Sequence, residues 1–324
     1  MTRYYIELAH EQFPPSALLR QAKLAEDAGF DGISCSDHFQ PWWTPGHAGQ
    51  AWAWLGAAGQ LTERVAIGPG VTPLVHRYHP ALVAQFAATL EELFPGRAFL
   101  GVGSGESLNE TPLGMDWPEP AEQLARLEEG LRLIDRLLDG AEVTSDGYFR
   151  TKRAILHTRP ARRPPVYVSA FKPEAARLAG RLGDGLWTMG DPKIAKPAVE
   201  AYRQGANEAG RPPGEILLHA PFSWAPDDDA ALEGARVWKP TLVQEFFTDD
   251  WHDPKAMYEH AENEVSDRQF KAKAIIGSDP DDHVKKIKAI EKLGATIVVL
   301  MNISGAAPED AIRVYGGQVL PQLR

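Results

Sequence analysis

Three short stretches concentrate side chains that exchange protons near neutral pH. They are Ala9-His10-Glu11-Gln12-Phe13, Ser36-Asp37-His38-Phe39-Gln40-Pro41-Trp42, and the run from Gly101 to Glu110, which carries Glu106 and Asn109. Each follows a segment that reads as a β-strand. In a barrel of alternating strands and helices, the loops after the strands share one face, and catalytic side chains gather there. Such a fold would bring Glu11, His38, Trp42 and Glu106 around one cavity. A histidine with carboxylates is a workable acid/base set, because small environmental shifts move imidazole across neutral pH. Each residue also has a plain structural reading. His38 could be an ordinary loop histidine, and Asp37 a helix cap or an orienter of the imidazole. Trp42 and Trp43 could be packing residues, and Glu106 a carboxylate favoured at a helix start. Four coincidences on successive loops favour a shared site.

Other chemistries fit less well. Gly101-Val102-Gly103-Ser104-Gly105-Glu106 is Gly-x-Gly-x-Gly, and Glu106 stands where a dinucleotide fingerprint needs its last glycine; a carboxylate there repels a pyrophosphate. Small residues that let backbone approach a flat cofactor explain the run equally well. No Gly-x-Ser-x-Gly elbow supports a hydrolase. Metal binding is not expected, because the ten histidines are scattered and Cys35 is the one cysteine. Cys35 reads as a buried structural thiol. With 34 basic against 44 acidic residues, the net charge is −10, which argues against an extended nucleic-acid surface. The N-terminus carries no signal-peptide core, and no apolar run approaches the ~20 residues of a spanning helix. A cytoplasmic protein without membrane partners is expected.

The elements that position these loops follow a recurrent helix–glycine–strand grammar. Residues 16–28 predict an amphipathic helix capped by Ser16, with Leu18, Ala22, Ala25 and Ala28 on one face. Gly29 ends it in the left-handed conformation, and Phe30–Cys35 enters a strand. The pattern returns at 179–187 and 291–300. Short apolar strands fed this way suit a buried parallel sheet. Further strands are expected at 3–9, 64–71, 97–103, 165–170, 214–221 and 273–277. Further helices are expected at 48–62, 80–93, 119–138, 174–182, 194–209, 280–293 and 308–319. About eight strands alternating with helices favour a (β/α)₈ barrel over a doubly wound sheet. Residues 141–158 read as a hairpin insertion turning at Asp146-Gly147, and 223–272 as an irregular, partly helical excursion over the active-site face. No linker divides the chain, so residues 1–324 are expected to form one domain.

These stretches together resemble the luciferase-like F420-dependent oxidoreductases, within them the glucose-6-phosphate dehydrogenase and secondary-alcohol dehydrogenase group. The likeness rests on Ser36–Trp42, Arg77-Tyr78-His79-Pro80-Ala81 with Val83-Ala84-Gln85, Phe94-Pro95-Gly96-Arg97, Gly101–Glu106 with Leu108-Asn109-Glu110, and Gly277-Ser278-Asp279-Pro280. It is dense over residues 5–190 and thinner beyond. The resemblance implies a TIM barrel of the bacterial luciferase-like type and the deazaflavin F420 as cofactor. It implies His38 as the base that takes a substrate hydroxyl proton as hydride leaves carbon. Trp42 would stabilise developing charge, Glu106 would supply a proton to the cofactor's pyrimidine edge, and Glu11 would hold substrate. It further implies a non-proline cis peptide at Gly70-Val71 behind the cofactor ring, and a phosphate-binding loop at Ser169-Ala170-Phe171-Lys172 before Pro173. Asp37, Ser104, Gly105 and Asn109 complete the implied cofactor site.

The chain departs from this family in two places. Lys172 stands where glycine is usual, and a long lysine could add an ion pair to the cofactor phosphate or its acidic tail. Of three cationic positions that hold a sugar phosphate in the family, one falls on Lys273, one at Pro192 or the adjacent Lys193, and one on Thr248. The expected function is hydride transfer from a sugar or sugar-6-phosphate hydroxyl to oxidised F420. The alternatives are an F420-dependent secondary alcohol dehydrogenase or reductase, an FMN-dependent monooxygenase, and a non-catalytic barrel protein. The tryptophan-bearing helix Gln50-Ala51-Trp52-Ala53-Trp54-Leu55 suits either core packing or a subunit contact, and the resemblance tilts the expectation to a homodimer.

Overall fold

A computed structural model describes residues 1–324. The strands are β1 (Arg3–Leu8), β2 (Gly32–Cys35), β3 (Ala66–Pro69), β4 (Thr72–Pro73), β5 (Leu100–Gly103), β6 (Val143–Ser145), β7 (Thr151–Ala154), β8 (Val166–Ser169), β9 (Gly185–Met189), β10 (Glu215–Trp224), β11 (Ile275–Gly277) and β12 (Ile297–Asn302). The helices are α1 (Pro15–Ala28), α2 (Ala51–Leu61), α3 (Pro80–Leu93), α4 (Ser107–Glu110), α5 (Pro120–Leu138), α6 (Pro173–Leu182), α7 (Pro192–Glu208), α8 (Asp228–Ala235), α9 (Pro254–Glu264), α10 (Asp267–Lys271), α11 (Pro280–Glu291), α12 (Pro308–Val314) and α13 (Leu320–Leu323).

Ten strands make one parallel sheet in the order β3-β2-β1-β12-β10-β9-β8-β5-β4, with β11 beside β10. The sheet closes where the Ile67 amide donates to the Arg97 carbonyl at 2.8 Å and the Phe99 amide to the Ile67 carbonyl at 3.0 Å. β3 and β4 are halves of one stave, interrupted at Gly70-Val71, whose peptide bond is cis as the resemblance implies. With those two counted together and β11 left outside the ring, ten strands give eight staves. This is the luciferase-like TIM barrel.

Three apolar clusters hold it together. The largest lies between the staves and the outer helices and includes Ile6, Ile33, Ile67, Leu100, Val168, Leu186 and Leu300. A second fills the barrel with Tyr5, Phe99, Tyr167, Trp187, Leu217 and Val299. The third covers the mouth: Trp42, Trp43 and Leu108 from the loops meet Leu232, Trp238, Phe246, Met257 and Phe270 from the segment after β10. The expected excursion at 223–272 therefore lies over the catalytic face. It is built from α8–α10 and two 3₁₀ turns, Arg236–Leu242 and Gln244–Phe247.

Several local expectations change. Ser16 does not cap α1; Pro14 occupies that position and Pro15 opens the helix, its fixed φ replacing the side-chain acceptor. The strand expected at 273–277 shortens to β11 and joins the sheet only beside β10, outside the ring. The hairpin at 141–158 exists, but its turn spans residues 146–150 rather than Asp146-Gly147 alone. Gly29 adopts φ +94° as expected. Gly183 instead is extended, and is small because a Cβ would lie 2.8 Å from Val168 Cγ2. No helix is long and apolar enough to cross a membrane.

Candidate active site

The loop after β2 is pinned from three sides before any catalytic atom is considered. Asp37, buried, accepts from Thr72 Oγ1 at 2.7 Å and from the Tyr78 hydroxyl at 3.1 Å. Arg77 donates to the Asp37 carbonyl and stands 3.4 Å from its carboxylate. Asn109, buried in α4, accepts from the amides of Phe39 at 2.8 Å and Gln40 at 3.2 Å. Gln40 donates to the Leu108 carbonyl at 3.1 Å and the His252 carbonyl at 2.9 Å. The loop carrying His38 is thus fixed to the third stave, to the loop after β5 and to the covering segment.

His38 then sits between two carboxylates. Its Nδ1 lies 3.2 Å from the Gln40 carbonyl and 3.5 Å from Glu11 Oε1, and its Nε2 lies 3.3 Å from Glu106 Oε2. A carbonyl oxygen only accepts, so Nδ1 carries the hydrogen of the neutral ring and Nε2 is the basic nitrogen. Glu11 is oriented by Ser36, whose hydroxyl donates to Oε2 at 2.7 Å. Asn109 Nδ2 donates to Glu106 Oε2 at 3.1 Å, so one amide group aligns both the His38 loop and the carboxylate facing the ring. Burial raises the Glu106 carboxyl above its ordinary value, opposed by His38, Arg77 and Asn109. Glu106 occupies the N-cap position of α4 but makes no side-chain cap bond, so capping does not account for it. The Trp42 ring lies 5.6 Å from His38 and 5.4 Å from Phe247 of the covering segment.

The expected cofactor residues lie at the interruption of the third stave and in the loops after β2, β5 and β8. Gly70 and Val71 are half-buried, as are Ser104 and Gly105, the latter at φ +84°. Gly103 faces them, where a Cβ would approach Val71 Cγ2 to 2.9 Å. In the loop after β8, Ser169 is half-buried, Ala170 buried, and Phe171 and Lys172 exposed. The amides of Phe171 and Lys172 donate to no protein acceptor, and the N-terminus of α6 has no side-chain cap. A flat ligand with a phosphate fits this donor set: small residues on the wall, free amides and a helix start for the anion. Asp37 and Asn109 differ from the rest, because the bonds above engage their polar atoms with protein partners.

Of the expected substrate residues, Lys193 and Lys273 both lie beside Asp191, and Thr248 stands in the covering segment. Lys273 is paired with Asp191, the N-cap of α7, whose other oxygen accepts the Lys193 amide at 2.8 Å. The Lys193 side chain is exposed. The Thr248 hydroxyl donates to the Glu245 carbonyl at 3.4 Å.

Other residues of the site escaped the sequence reading. Glu110 accepts from the Arg77 amide at 2.7 Å and stands 3.7 Å from its guanidinium; burial pushes its carboxyl up to about 7. Within the barrel, Glu7 accepts from the Ser34 hydroxyl at 3.3 Å and lies 3.6 Å from His219 Nε2. Burial raises Glu7 well above the carboxylate range and lowers His219 to about 4. His10 is buried with Nδ1 3.2 Å from the Gly49 carbonyl. Phe247 and Asp191 carried no periodic or motif signal. Arg77 and Glu110 stood within quoted stretches, and the available signal was a cation and a carboxylate bracketing loops already assigned to the site.

Known proteins resemble this chain over nearly its whole length. A family model described as luciferase-like monooxygenase matches residues 2–296. The F420-dependent glucose-6-phosphate dehydrogenase of Microbacterium testaceum is 40% identical over 329 residues, covering 99% of this chain and 97% of the relative. The protein of the same name from Nakamurella multipartita is also 40% identical, over 99% of this chain and 96% of the relative. Among solved structures, an F420-dependent secondary alcohol dehydrogenase in complex with an F420-acetone adduct superposes with a TM-score of 0.95 at 34% identity, covering 100% of this chain and 99% of that one. The chain accordingly belongs to the luciferase-like family.

Proposed function

We propose that this protein is an F420-dependent dehydrogenase that oxidises a hydroxyl of a sugar or sugar 6-phosphate, or of a small secondary alcohol. The observation that carries the reading is His38, held as the Nδ1–H tautomer with its basic Nε2 3.3 Å from Glu106 at the barrel mouth. The names of the relatives and of the structural neighbour support the cofactor and the reaction class. When bound, the deazaflavin accepts the hydride released from the carbinol carbon.

The chain's own residues supply position and protons. Gly70, Val71, Ser104 and Gly105 would line the ring, with Asp37 and Asn109 holding the loops that border it. The loop Ser169–Lys172 would receive the phosphate on its free amides, with Lys172 available as an ion-pair partner. His38 Nε2 would take the hydroxyl proton, and the imidazolium so formed is stabilised by Glu11 and Glu106 on either side. Glu106, whose carboxyl burial raises above its ordinary value, would deliver a proton towards the ring. Trp42 closes the site beside His38 and excludes water together with Phe247. Thr248, Lys193 and Lys273 border the outer, substrate side.

The test is loss of the visible absorbance of oxidised F420 across glucose 6-phosphate, other sugar phosphates, free sugars and secondary alcohols. Turnover with any of them is expected. His38→Ala should lower kcat by about 10²–10⁴ while leaving cofactor binding intact; unchanged turnover would remove His38 as the base. Failure to bind F420, with FMN bound instead, would overturn the cofactor.

The same reading takes the protein as a cytoplasmic, single-domain homodimer. Trp54 is core, donating to the Pro15 carbonyl at 3.2 Å, whereas Trp52 packs on Phe86 beside an outer groove that includes Leu93, 60% exposed. Leu61 and Leu82 are also exposed on α2 and α3, and this apolar face is the proposed subunit contact.

A further inference from the structure

The ion pair at the outer edge of the site bears on which hydroxyl compound the enzyme takes. Asp191 follows β9 and Lys273 precedes β11, which lies against the C-terminal end of β10, so both stand on the catalytic face. The neighbouring stave, β8, carries the loop with Phe171, and Phe171 meets Phe247, which meets Trp42. Asp191 cannot easily leave Lys273. One carboxylate oxygen caps α7 through the Lys193 amide, and that fixes the other on the ammonium. Its side chain is 16% exposed against 46% for Lys273. The aspartate therefore already occupies the place that an anionic substrate group would take.

A second observation points the same way. The covering stretch from Pro240 to Pro254 contains Glu245, Asp249, Asp250 and Asp253 and no lysine or arginine. It is held against the site: the Ser107 hydroxyl, next to Glu106, accepts from the Trp251 amide at 2.9 Å and lies 3.1 Å from the Asp249 carbonyl and 2.9 Å from the Trp251 carbonyl, to one of which it donates. Thr248, within this stretch, carries no charge. A dianionic phosphate entering here meets an acidic border and, beside the exposed Lys193, a Lys273 already paired with Asp191; like-charge juxtaposition is an effective way to reject a competing ligand.

We infer that Asp191 is a specificity-determining residue: it competes with substrate anions for Lys273 and biases the enzyme towards unphosphorylated hydroxyl substrates. The inference rests on the dehydrogenase reading for its reaction, but its test separates from it. Asp191→Asn keeps an oxygen for the helix cap and removes the charge, and asparagine is as good an N-cap as aspartate. Binding of inorganic phosphate and of glucose 6-phosphate is measured by calorimetry on wild type and variant without cofactor, then kcat/KM with F420 for glucose 6-phosphate against glucose and 2-propanol.

D191N is expected to bind both phosphates about fivefold tighter, the factor that corresponds to releasing an exposed ion pair of about 1 kcal/mol. Its kcat/KM ratio should shift towards the phosphorylated substrate by a similar factor. Adding Lys273→Gln to D191N should cancel the gain. Equal phosphate affinity in wild type and D191N overturns the inference, as does a wild-type preference for glucose 6-phosphate that D191N weakens. If D191N tightens F420 binding and not sugar-phosphate binding, Lys273 serves the cofactor's acidic tail and the substrate assignment is wrong. Absence of turnover with every alcohol would instead count against the dehydrogenase reading, while the calorimetry still decides the role of Asp191.

Discussion

Replacing Asn109 separates the positioning of the candidate base from the electrostatics around it. Asn109 is buried, and its one side chain makes three bonds: two accepted from the amides of Phe39 and Gln40, and one donated to Glu106. In Asn109→Ala, each backbone amide loses a bond worth about 1 kcal/mol, and the bond to the carboxylate is worth about 1.5–3 kcal/mol. Phe39 is exposed and Gln40 half-buried, so water recovers part of the first loss. The variant should be destabilised by about 2–3 kcal/mol, read as a lower denaturation midpoint at unchanged slope. Activity should fall further than stability suggests. The His38 loop loses the contact that sets its distance to Glu106, and a displacement of about 1 Å can cost roughly a hundredfold in rate. Asn109→Asp keeps acceptors for both amides but faces Glu106 with a second carboxylate. It should leave the loop folded while raising the Glu106 carboxyl further, which moves the pH–rate profile to higher pH. The assay pairs urea denaturation with kcat against pH for both variants. Wild-type stability in the alanine variant, or identical pH profiles in wild type and the aspartate variant, would refute the reasoning.

Two further outcomes are expected. Glu110 is held at about 7 in the folded protein by burial, above its ordinary 4.5, so its contribution to stability is complete below about pH 4.5 and is lost as pH rises through 7. The shift corresponds to about 3 kcal/mol; Glu110→Gln should flatten the decline between pH 5 and 8, and an identical pH–stability curve in the variant would contradict the assignment. Leu93→Glu on the exposed α3 face should convert the proposed homodimer to monomers in sedimentation without loss of helix content, and a monomeric wild type would sink the interface.

The fold was legible wherever local chemistry repeats. Helices ending at glycine and feeding short apolar strands revealed β2, β9 and β12, because a strand buried on both faces needs an unbroken apolar run. The split third stave was legible only through resemblance, since Gly70-Val71 has no periodic signature. The covering segment was visible only as irregularity. Its order comes from side-chain bonds to distant backbone, such as Ser107 to Trp251 and Gln40 to His252, which no sequence spacing announces. Of the candidate site, the meeting of Glu11, His38 and Glu106 was legible because they stand shortly after strands. Arg77, Glu110 and Asp191 were not, because each has an ordinary role when read alone and acquires its significance only from what faces it, Asp37 and Glu110 for Arg77 and Lys273 for Asp191.

The carboxylates around His38 explain why protons are retained there. Glu7, Glu11, Asp37 and Glu110 are buried and Glu106 is nearly so, while Arg77 is the guanidinium that meets them, at Asp37 and Glu110. Five ionised carboxylates against one such cation would cost far more than the fold could sustain, so the group must hold protons. The directions agree: burial raises Glu7, Glu106 and Glu110, whereas Asp37 is satisfied by Thr72, Tyr78 and Arg77, and Glu11 by Ser36. Removing hydride from an alcohol leaves a proton that needs an acceptor, and His38 Nε2 is the acceptor proposed for it. Gaining that proton turns His38 into a cation between Glu11 and Glu106. The step thus forms a cation that the two flanking carboxylates stabilise.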